Sequence, residues 1–201
     1  MVRLLFNPMS WGRGMGPLMD CLYVAREASD LGHEVAFICR DRFVDLAAGY
    51  GYEVYPNESP PAPKTIDSDL FNEDFPVFQG LGEEQWVRRI LACELAAIKD
   101  FRPDAVFTWL QFTGVISAHV SGIPVASVAR WPAHPEYTSP LLAGGRKMVS
   151  RCTPLFNRIL SEYGLPSVGN VWELDFMRSN LKISPSAPEL EPGLQSVPGL
   201  Y

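Results

Sequence analysis

The pattern of apolar and polar positions alternates between short apolar runs and longer amphipathic segments. Residues 2–6 form a short apolar run, which is typical of a strand buried on both faces. Residues 17–32 carry apolar residues at every third or fourth position, between a proline and a glycine, which predicts a helix. Residues 35–38 are apolar again. A strand, a helix and a second strand in this order form a βαβ unit, which requires a parallel sheet.

The same alternation continues through most of the chain. The pattern predicts further strands at 52–55, 105–108, 125–128 and 181–184, and helices at 42–48, 83–101, 113–121, 153–164 and from 170 onward. Residues 57–71, rich in proline and acidic side chains, break the periodicity and predict a long surface loop. We therefore expect an α/β fold, a Rossmann-like doubly wound parallel sheet, in one domain over residues 1–184. Residues 185–201 lack periodicity and are interpreted as a linker or tail.

Composition and charge exclude several classes of protein. Of 201 residues, 47% are apolar, as expected of a globular chain, and the net charge of −6 argues against a nucleic-acid partner. No apolar stretch approaches the length of a membrane span, and the N-terminal run is too short for a signal peptide, so we expect a cytoplasmic location. The four cysteines and three histidines show no metal-ligand spacing, so no metal is expected.

A glycine-rich loop follows the first predicted strand, in the sequence NPMSWGRGMGP. Glycines allow a ligand to approach the backbone, and the helix that follows presents the positive end of its dipole. However, Gly14 and Gly16 lie one residue too close for the dinucleotide fingerprint, which disfavours a dinucleotide-binding module. The loop also lacks the endings of a phosphate-binding loop and of a nucleophile elbow. Taken alone, it is either a ligand contact or a flexible turn.

Several segments in order resemble a known family. They include VRLLFNPMSWGRGMGPLMDCLYVAREASDLGHEVAFIC, FRPDAVFTWLQFTGVISAHVSGIPVASV, NRILSEYGLP and ISPSAPELEP. The most specific pieces are DLGHEV, FRPD, GIPVASV and SPSAPELEP. Together they resemble the N-terminal, acceptor-binding domain of GT-B-type glycosyltransferases, especially the bacterial enzymes that modify natural products and the related UDP-glycosyltransferases.

This resemblance implies one half of a two-domain enzyme. In the family, the N-terminal half binds the acceptor, and the C-terminal half holds most of the nucleotide-sugar donor. The expected partners are therefore a small hydrophobic acceptor and a C-terminal donor-binding domain, in the same or a separate chain. We expect no cofactor in this domain and no sugar transfer by the isolated chain.

The catalytic base of the family is not evident in this sequence. It is commonly a His or Asp between the glycine loop and the helix-opening proline, where this chain has Met15 and Gly16. The acid that often orients a catalytic His is replaced by Trp109 or Leu110. Three explanations stay open: His134 in the irregular WPAHPEY segment supplies the base, the acceptor needs no strong base, or the chain is a non-catalytic helper or binding protein.

Acceptor recognition has more candidates, because aromatic and polar residues follow the predicted strand ends. Aromatic rings there could stack on a planar acceptor or fill the core instead. Arg13 could meet an acidic acceptor group or the donor diphosphate, or be solvated, and Gln111 could bond an acceptor hydroxyl in place of the usual acid. The candidate acceptor-binding residues are Trp11, Gly12, Arg13, Gly14, Met15, Gly16, Trp109, Gln111, Phe112 and Trp131.

Overall fold

The computed structural model describes residues 1–10, 15–61, 76–77, 79–128 and 150–185. The strands are β1 (Arg3–Pro8), β2 (Glu34–Cys39), β3 (Glu53–Pro56), β4 (Ala105–Trp109), β5 (Val125–Val128) and β6 (Leu181–Ile183). The helices are α1 (Gly16–Asp30), α2 (Arg42–Gly49), α3 (Glu84–Phe101), α4 (Phe112–Val120), α5 (Thr153–Glu162) and α6 (Glu173–Met177). No helix among these residues is both long and apolar enough to cross a membrane.

The six strands form one parallel sheet in the order β3-β2-β1-β4-β5-β6. In the centre, Leu5 of β1 lies opposite Ala36 on one side and Val106 on the other. The strand order reverses direction between β1 and β4, which is the topological switch point where open α/β sheets bind ligands. The predicted doubly wound parallel α/β fold is confirmed.

Two apolar clusters cover the two faces of the sheet. Leu5 and Ile38 belong to the cluster that includes residues of α3, α4, α5 and α6. The neighbouring Phe6 and Phe37 belong to the cluster that includes residues of α1 and α2, and their rings stack with centroids 5.2 Å apart. Because successive side chains of a strand point to opposite faces, β1 contributes to both clusters. The result is a helix–sheet–helix sandwich with β1 at its centre.

Strand β1 extends beyond its predicted end at residue 6. Asn7 and Pro8 continue the pairing with Thr108 and Trp109 of β4, so both belong to the sheet. This extension matters for the site, because it fixes Asn7 at the carboxyl end of the central strand.

At two helix starts the sequence also indicates a cap: Thr153 before Pro154 for α5, and Asn170 with Glu173 three residues later for α6. Thr153, expected to cap α5, is instead its first residue, and its hydroxyl accepts the backbone N–H of Val171 at 3.1 Å. Before α6, the carboxylate of Glu173 accepts the N–H of Gly169 at 3.0 Å, one residue earlier than a capping box with Asn170 would require. Thr153 thus bonds a segment distant in sequence instead of its own helix, whereas the bond of Glu173 is local.

Candidate active site at the carboxyl edge of the sheet

Polar side chains from four strand ends converge on one buried carboxyl group. Asn7 lies at the end of β1, Arg40 and Asn57 directly follow β2 and β3, and Gln111 follows β4 closely. All four lie near Glu94 of α3, which has no exposed surface. Since the strands are parallel, their carboxyl ends share one edge of the sheet, and this edge includes the switch point.

One oxygen of Glu94 is surrounded by hydrogen-bond donors. Its Oε1 accepts from Thr113 Oγ1 at 2.8 Å, from Asn7 Nδ2 at 2.9 Å and from Gln111 Nε2 at 3.0 Å. A longer contact of 3.5 Å joins it to Asn57 Nδ2. The other oxygen, Oε2, is buried and has no hydrogen-bond partner in the described part of the chain.

The ionisation of Glu94 is set by opposing effects. Burial raises its pKa, while the hydrogen bonds from Asn7, Gln111 and Thr113 and the charge of Arg40 act in the opposite direction. Because N–H and O–H groups all face Oε1, a proton on this carboxyl group would sit on Oε2. The carboxyl group therefore has one fixed oxygen and one oxygen that can accept a hydrogen bond or a proton.

Arg40 brings a buried positive charge close to Glu94. Its backbone N–H donates to Ser10 Oγ at 3.1 Å, and the residue is 3% exposed. Burial lowers the pKa of Arg40, and the charge of Glu94 opposes that change. Its Nη2 has no hydrogen-bond partner among the residues that the structure describes, and no hydrogen bond or ion pair joins these two described side chains directly.

The backbone is strained at two points along this edge. Asp41 has φ 47° and ψ −135°, and Leu110 has φ 53°. Residues other than glycine rarely adopt positive φ, and strained residues tend to cluster at functional sites. Asp41 directly follows Arg40 and Leu110 directly precedes Gln111, so each strained residue adjoins a member of the polar cluster.

A glycine of α4 allows the helix to pass close to this cluster. A Cβ atom on Gly114 would lie 2.6 Å from Asn7 Nδ2 and 3.1 Å from Thr108 Cγ2. Both distances are shorter than ordinary contacts, so a side chain here would displace the Asn7 amide from Glu94. Close packing of α4 against the strand ends therefore depends on this glycine.

Three predicted acceptor-binding residues lie in the interior. Gln111 is 2% exposed, and its amide donates to Glu94. Trp109 is also buried, and Phe112 packs edge-on against Phe156 and Trp172, with centroids 6.4 and 5.3 Å apart. Phe112 thus fills the core, the alternative that its sequence position left open. The side chain of Gln111 therefore has almost no exposed surface of its own, and its amide is bound to Glu94.

The other predicted site residues divide into two groups. Met15 is exposed and precedes α1. Gly16 begins that helix, and a Cβ atom added to it would meet no atom within 4 Å. The remaining candidates lie outside the described residues and stay predictions: Trp11, Gly12, Arg13, Gly14, Trp131 and His134.

Glu94 was not among the predicted site residues, although one feature of the sequence distinguishes it. The buried stripe of α3 includes Val87, Ile90, Ala97 and Phe101, and Glu94 lies in its middle. A carboxyl group inside an apolar stripe must either find donors or change its pKa. That conflict marks Glu94 as a residue with a special environment.

Comparisons with known proteins bear on this fold. No protein-family model matches the sequence, and a search of curated protein sequences finds no match. Among solved structures, the chain is similar to SsfS6, a glycosyltransferase of Streptomyces sp. SF2575, with 19% identity and a TM-score of 0.60; 96% of this chain and 53% of that chain are covered. SsfS6 has also been solved in complex with thymidine diphosphate.

Two further glycosyltransferases show the same relationship. The calicheamicin glycosyltransferase CalG4 is 20% identical with a TM-score of 0.63, over 92% of this chain and 47% of that chain. The spinosyn rhamnosyltransferase SpnG is 19% identical with a TM-score of 0.64, over 94% of this chain and 46% of that chain, and it has been solved with the spinosyn aglycone. The chain therefore spans about half the length of these enzymes and has the Rossmann-like fold of one half of a GT-B glycosyltransferase.

Proposed function

We propose that the chain is the acceptor-binding half of a glycosyltransferase. It would present a small hydrophobic acceptor of the natural-product aglycone type to a nucleotide-sugar donor held by a C-terminal domain, in the same or a separate chain. Without that second domain the chain would bind acceptor but transfer no sugar.

The fold match carries this proposal. Almost the whole chain is similar to about half of SsfS6, CalG4 and SpnG, at TM-scores of 0.60 to 0.64. One of these proteins has been solved with an aglycone and another with a nucleoside diphosphate. The polar cluster around Glu94 adds support, because it lies at the edge of the sheet where this class of fold binds ligands.

A second candidate function is a non-catalytic helper or binding protein with the same fold. It is favoured by the residues in the two positions where the resemblance places a base and its acid. Met15 and Gly16 cannot accept a proton there, and Trp109 is a buried indole on β4. A helper would keep the acceptor-binding edge but would not deprotonate an acceptor.

A chimera distinguishes the two functions. Residues 1–201 are fused to the donor-binding half of SpnG, and the product is incubated with a nucleotide-sugar and a panel of hydroxylated aromatic acceptors. Mass spectrometry should show acceptors that gain one sugar, whereas the unfused chain should give none. A chimera that binds the nucleotide but glycosylates no acceptor would contradict the transferase.

The helper function predicts a different result. Added to an intact transferase of the same class, the unfused chain would increase turnover without forming product itself. The matched control is the same addition of heat-unfolded chain. No increase, together with transfer by the chimera, would remove the helper function.

A further inference from the structure

The cluster at the carboxyl edge contains two opposite and unsatisfied hydrogen-bonding atoms. Glu94 Oε2 is a buried acceptor and Arg40 Nη2 a buried donor, and each lacks a hydrogen-bond partner within the described ranges. A buried polar group without a partner destabilises a protein, by more when it is charged. Two such atoms at one edge of the sheet need an explanation.

Strand pairing brings Arg40 to the part of the edge where Glu94 lies. The last residues of β2 and β3, Cys39 and Pro56, lie opposite each other. Arg40 and Asn57 therefore follow neighbouring strand ends, and Asn57 Nδ2 lies 3.5 Å from Glu94 Oε1. The charges of Arg40 and Glu94 each affect the pKa of the other residue, yet no hydrogen bond or ion pair connects these two described residues. The remaining atoms of Glu94 are committed, because its Oε1 accepts from three close donors. The atoms that remain available are an accepting oxygen on Glu94 and a donating nitrogen on Arg40.

The chemistry of this pair selects a neutral group that donates and accepts at the same atom. When Glu94 is ionised and Arg40 is protonated, an anion would be repelled by Glu94 and a cation by Arg40. A hydroxyl group satisfies both, since its O–H donates to Oε2 while its oxygen accepts from Nη2. A water molecule has the same capability, so the source of the hydroxyl has to be distinguished by experiment.

We propose that Glu94 Oε2 and Arg40 Nη2 together bind one hydroxyl group of the acceptor, an inference that rests on the proposed function for the identity of the ligand. Two residues with positive φ adjoin this cluster: Asp41 follows Arg40, and Leu110 precedes Gln111. Ser10, which accepts the N–H of Arg40, leads into the glycine-rich loop predicted to contact the acceptor. The bound hydroxyl would be enclosed by buried side chains.

Matched pairs of probes test this site on the full chain. The pairs are 2-naphthol with 2-methoxynaphthalene, a hydroxycoumarin with its methyl ether, and a hydroxyanthraquinone with its methyl ether. Binding is measured by calorimetry. We expect at least one hydroxylated probe to bind about 10- to 100-fold more tightly than its ether, the usual worth of a hydrogen bond to a charged group.

Two single variants, their combination and one control variant separate the site from general stability. Glu94→Gln keeps the size of the side chain and an oxygen that accepts from the three donors, but it replaces Oε2 by an NH₂ group. Arg40→Met removes the guanidinium donor and keeps an unbranched apolar side chain. Each should reduce the hydroxyl preference to less than about threefold. The double variant should add little, because both residues act on one group. Asp175→Asn, a buried carboxyl changed to an amide elsewhere in the domain, is the control and should leave the preference unchanged.

The outcomes are distinct from those of the chimera. If hydroxylated probes and ethers bind alike, or if no probe binds the wild-type chain, the site holds only a water molecule or nothing, and this proposal is overturned. If the preference persists in folded Glu94→Gln, the hydroxyl binds elsewhere. Sugar transfer by the chimera that is insensitive to both variants would overturn the hydroxyl site while leaving the acceptor-binding function intact.

Discussion

Two carboxyl groups lie inside this domain in contrasting surroundings. Glu94 on α3 and Asp175 on α6 are 0% and 1% exposed. Glu94 has three close donors on one oxygen, whereas neither oxygen of Asp175 has a hydrogen-bond partner among the described residues. Burial raises the pKa of both, in the case of Asp175 to about 7.

The difference teaches that burial alone does not make a site. Asp175 is a buried group on a short helix, and its raised pKa has one cause, the loss of water. Glu94 is placed where four strand ends meet, and donors from distant segments are oriented toward it. Convergent polar side chains together with a perturbed carboxyl group are the stronger indication of function.

The largest effect should come from Glu94→Ala. This change leaves the amides of Asn7 and Gln111 and the hydroxyl of Thr113 buried without their acceptor, and it opens a cavity. We expect a loss of about 3–5 kcal/mol in the free energy of unfolding, measured by urea denaturation. Glu94→Gln, which keeps an acceptor in place, should lose less. Equal midpoints for Glu94→Ala and wild type would show that the donors have other partners.

Asp175→Asn should increase the free energy of unfolding, whereas Glu94→Ala should decrease it. The folded-state pKa of Asp175, about 7, lies above its ordinary value of 3.8, so the folded state prefers the protonated acid. Its contribution to stability is complete at low pH and is lost as the pH rises toward and through 7. The variant should therefore be more stable than wild type by about 2–4 kcal/mol at pH 8 and similar at pH 4. Urea denaturation at both pH values measures this, and a pH-independent difference would contradict it.

Gly114→Ala should destabilise the protein by displacing one of the three close donors of Glu94, the amide of Asn7. The added methyl group would meet the Asn7 amide at 2.6 Å and push it away from Glu94. We expect a loss of about 1–3 kcal/mol, the usual cost of overpacking a core. Gly49→Ala is the matched control, because a Cβ at that helical position meets no atom within 4 Å. If Gly114→Ala lost no more stability than Gly49→Ala, α4 would have moved to accommodate the methyl group, and this prediction would be wrong.

Arg88→Met should have the smallest effect of the four variants. Arg88 pairs with Glu84 and Glu162 at 2.7 Å, but all three side chains are about 40–50% exposed. Water and salt screen such pairs, so the urea midpoint should move less than in any variant above, and less still at high salt. A midpoint shift as large as that of Gly114→Ala would contradict this ranking of buried over exposed carboxylates.

The fold could be predicted from the sequence largely because its local signals agree. Strand β5 has its predicted bounds, because the turn GIP separates it from the helix that precedes it. The end of β1 was missed, because Asn7 and Pro8 have the composition of a loop and become strand only by pairing with β4. Tertiary pairing thus decided the element that positions the site.

The site was harder to predict than the fold. Its donors come from positions 7, 57, 111 and 113, and only the strand order β3-β2-β1-β4 brings them to one carboxyl group. A charged residue on a helix is usually exposed to solvent. Only its position within the buried apolar stripe of α3 distinguishes Glu94 from such a residue. Gln111 was singled out from its position after β4, but the sequence could not show that its partner is Glu94.

The central position of β1 has a consequence for how the chain assembles during synthesis. β1 can associate with β2 as soon as about forty residues have emerged from the ribosome. Its other edge has to wait for β4, which begins at residue 105, about 65 residues after the end of β2. Until then, that edge of β1 has no pairing strand, which exposes the growing polypeptide to aggregation and to chaperones. Pairing of the second edge of β1 and assembly of the Glu94 cluster therefore require the same segment, residues 105–113.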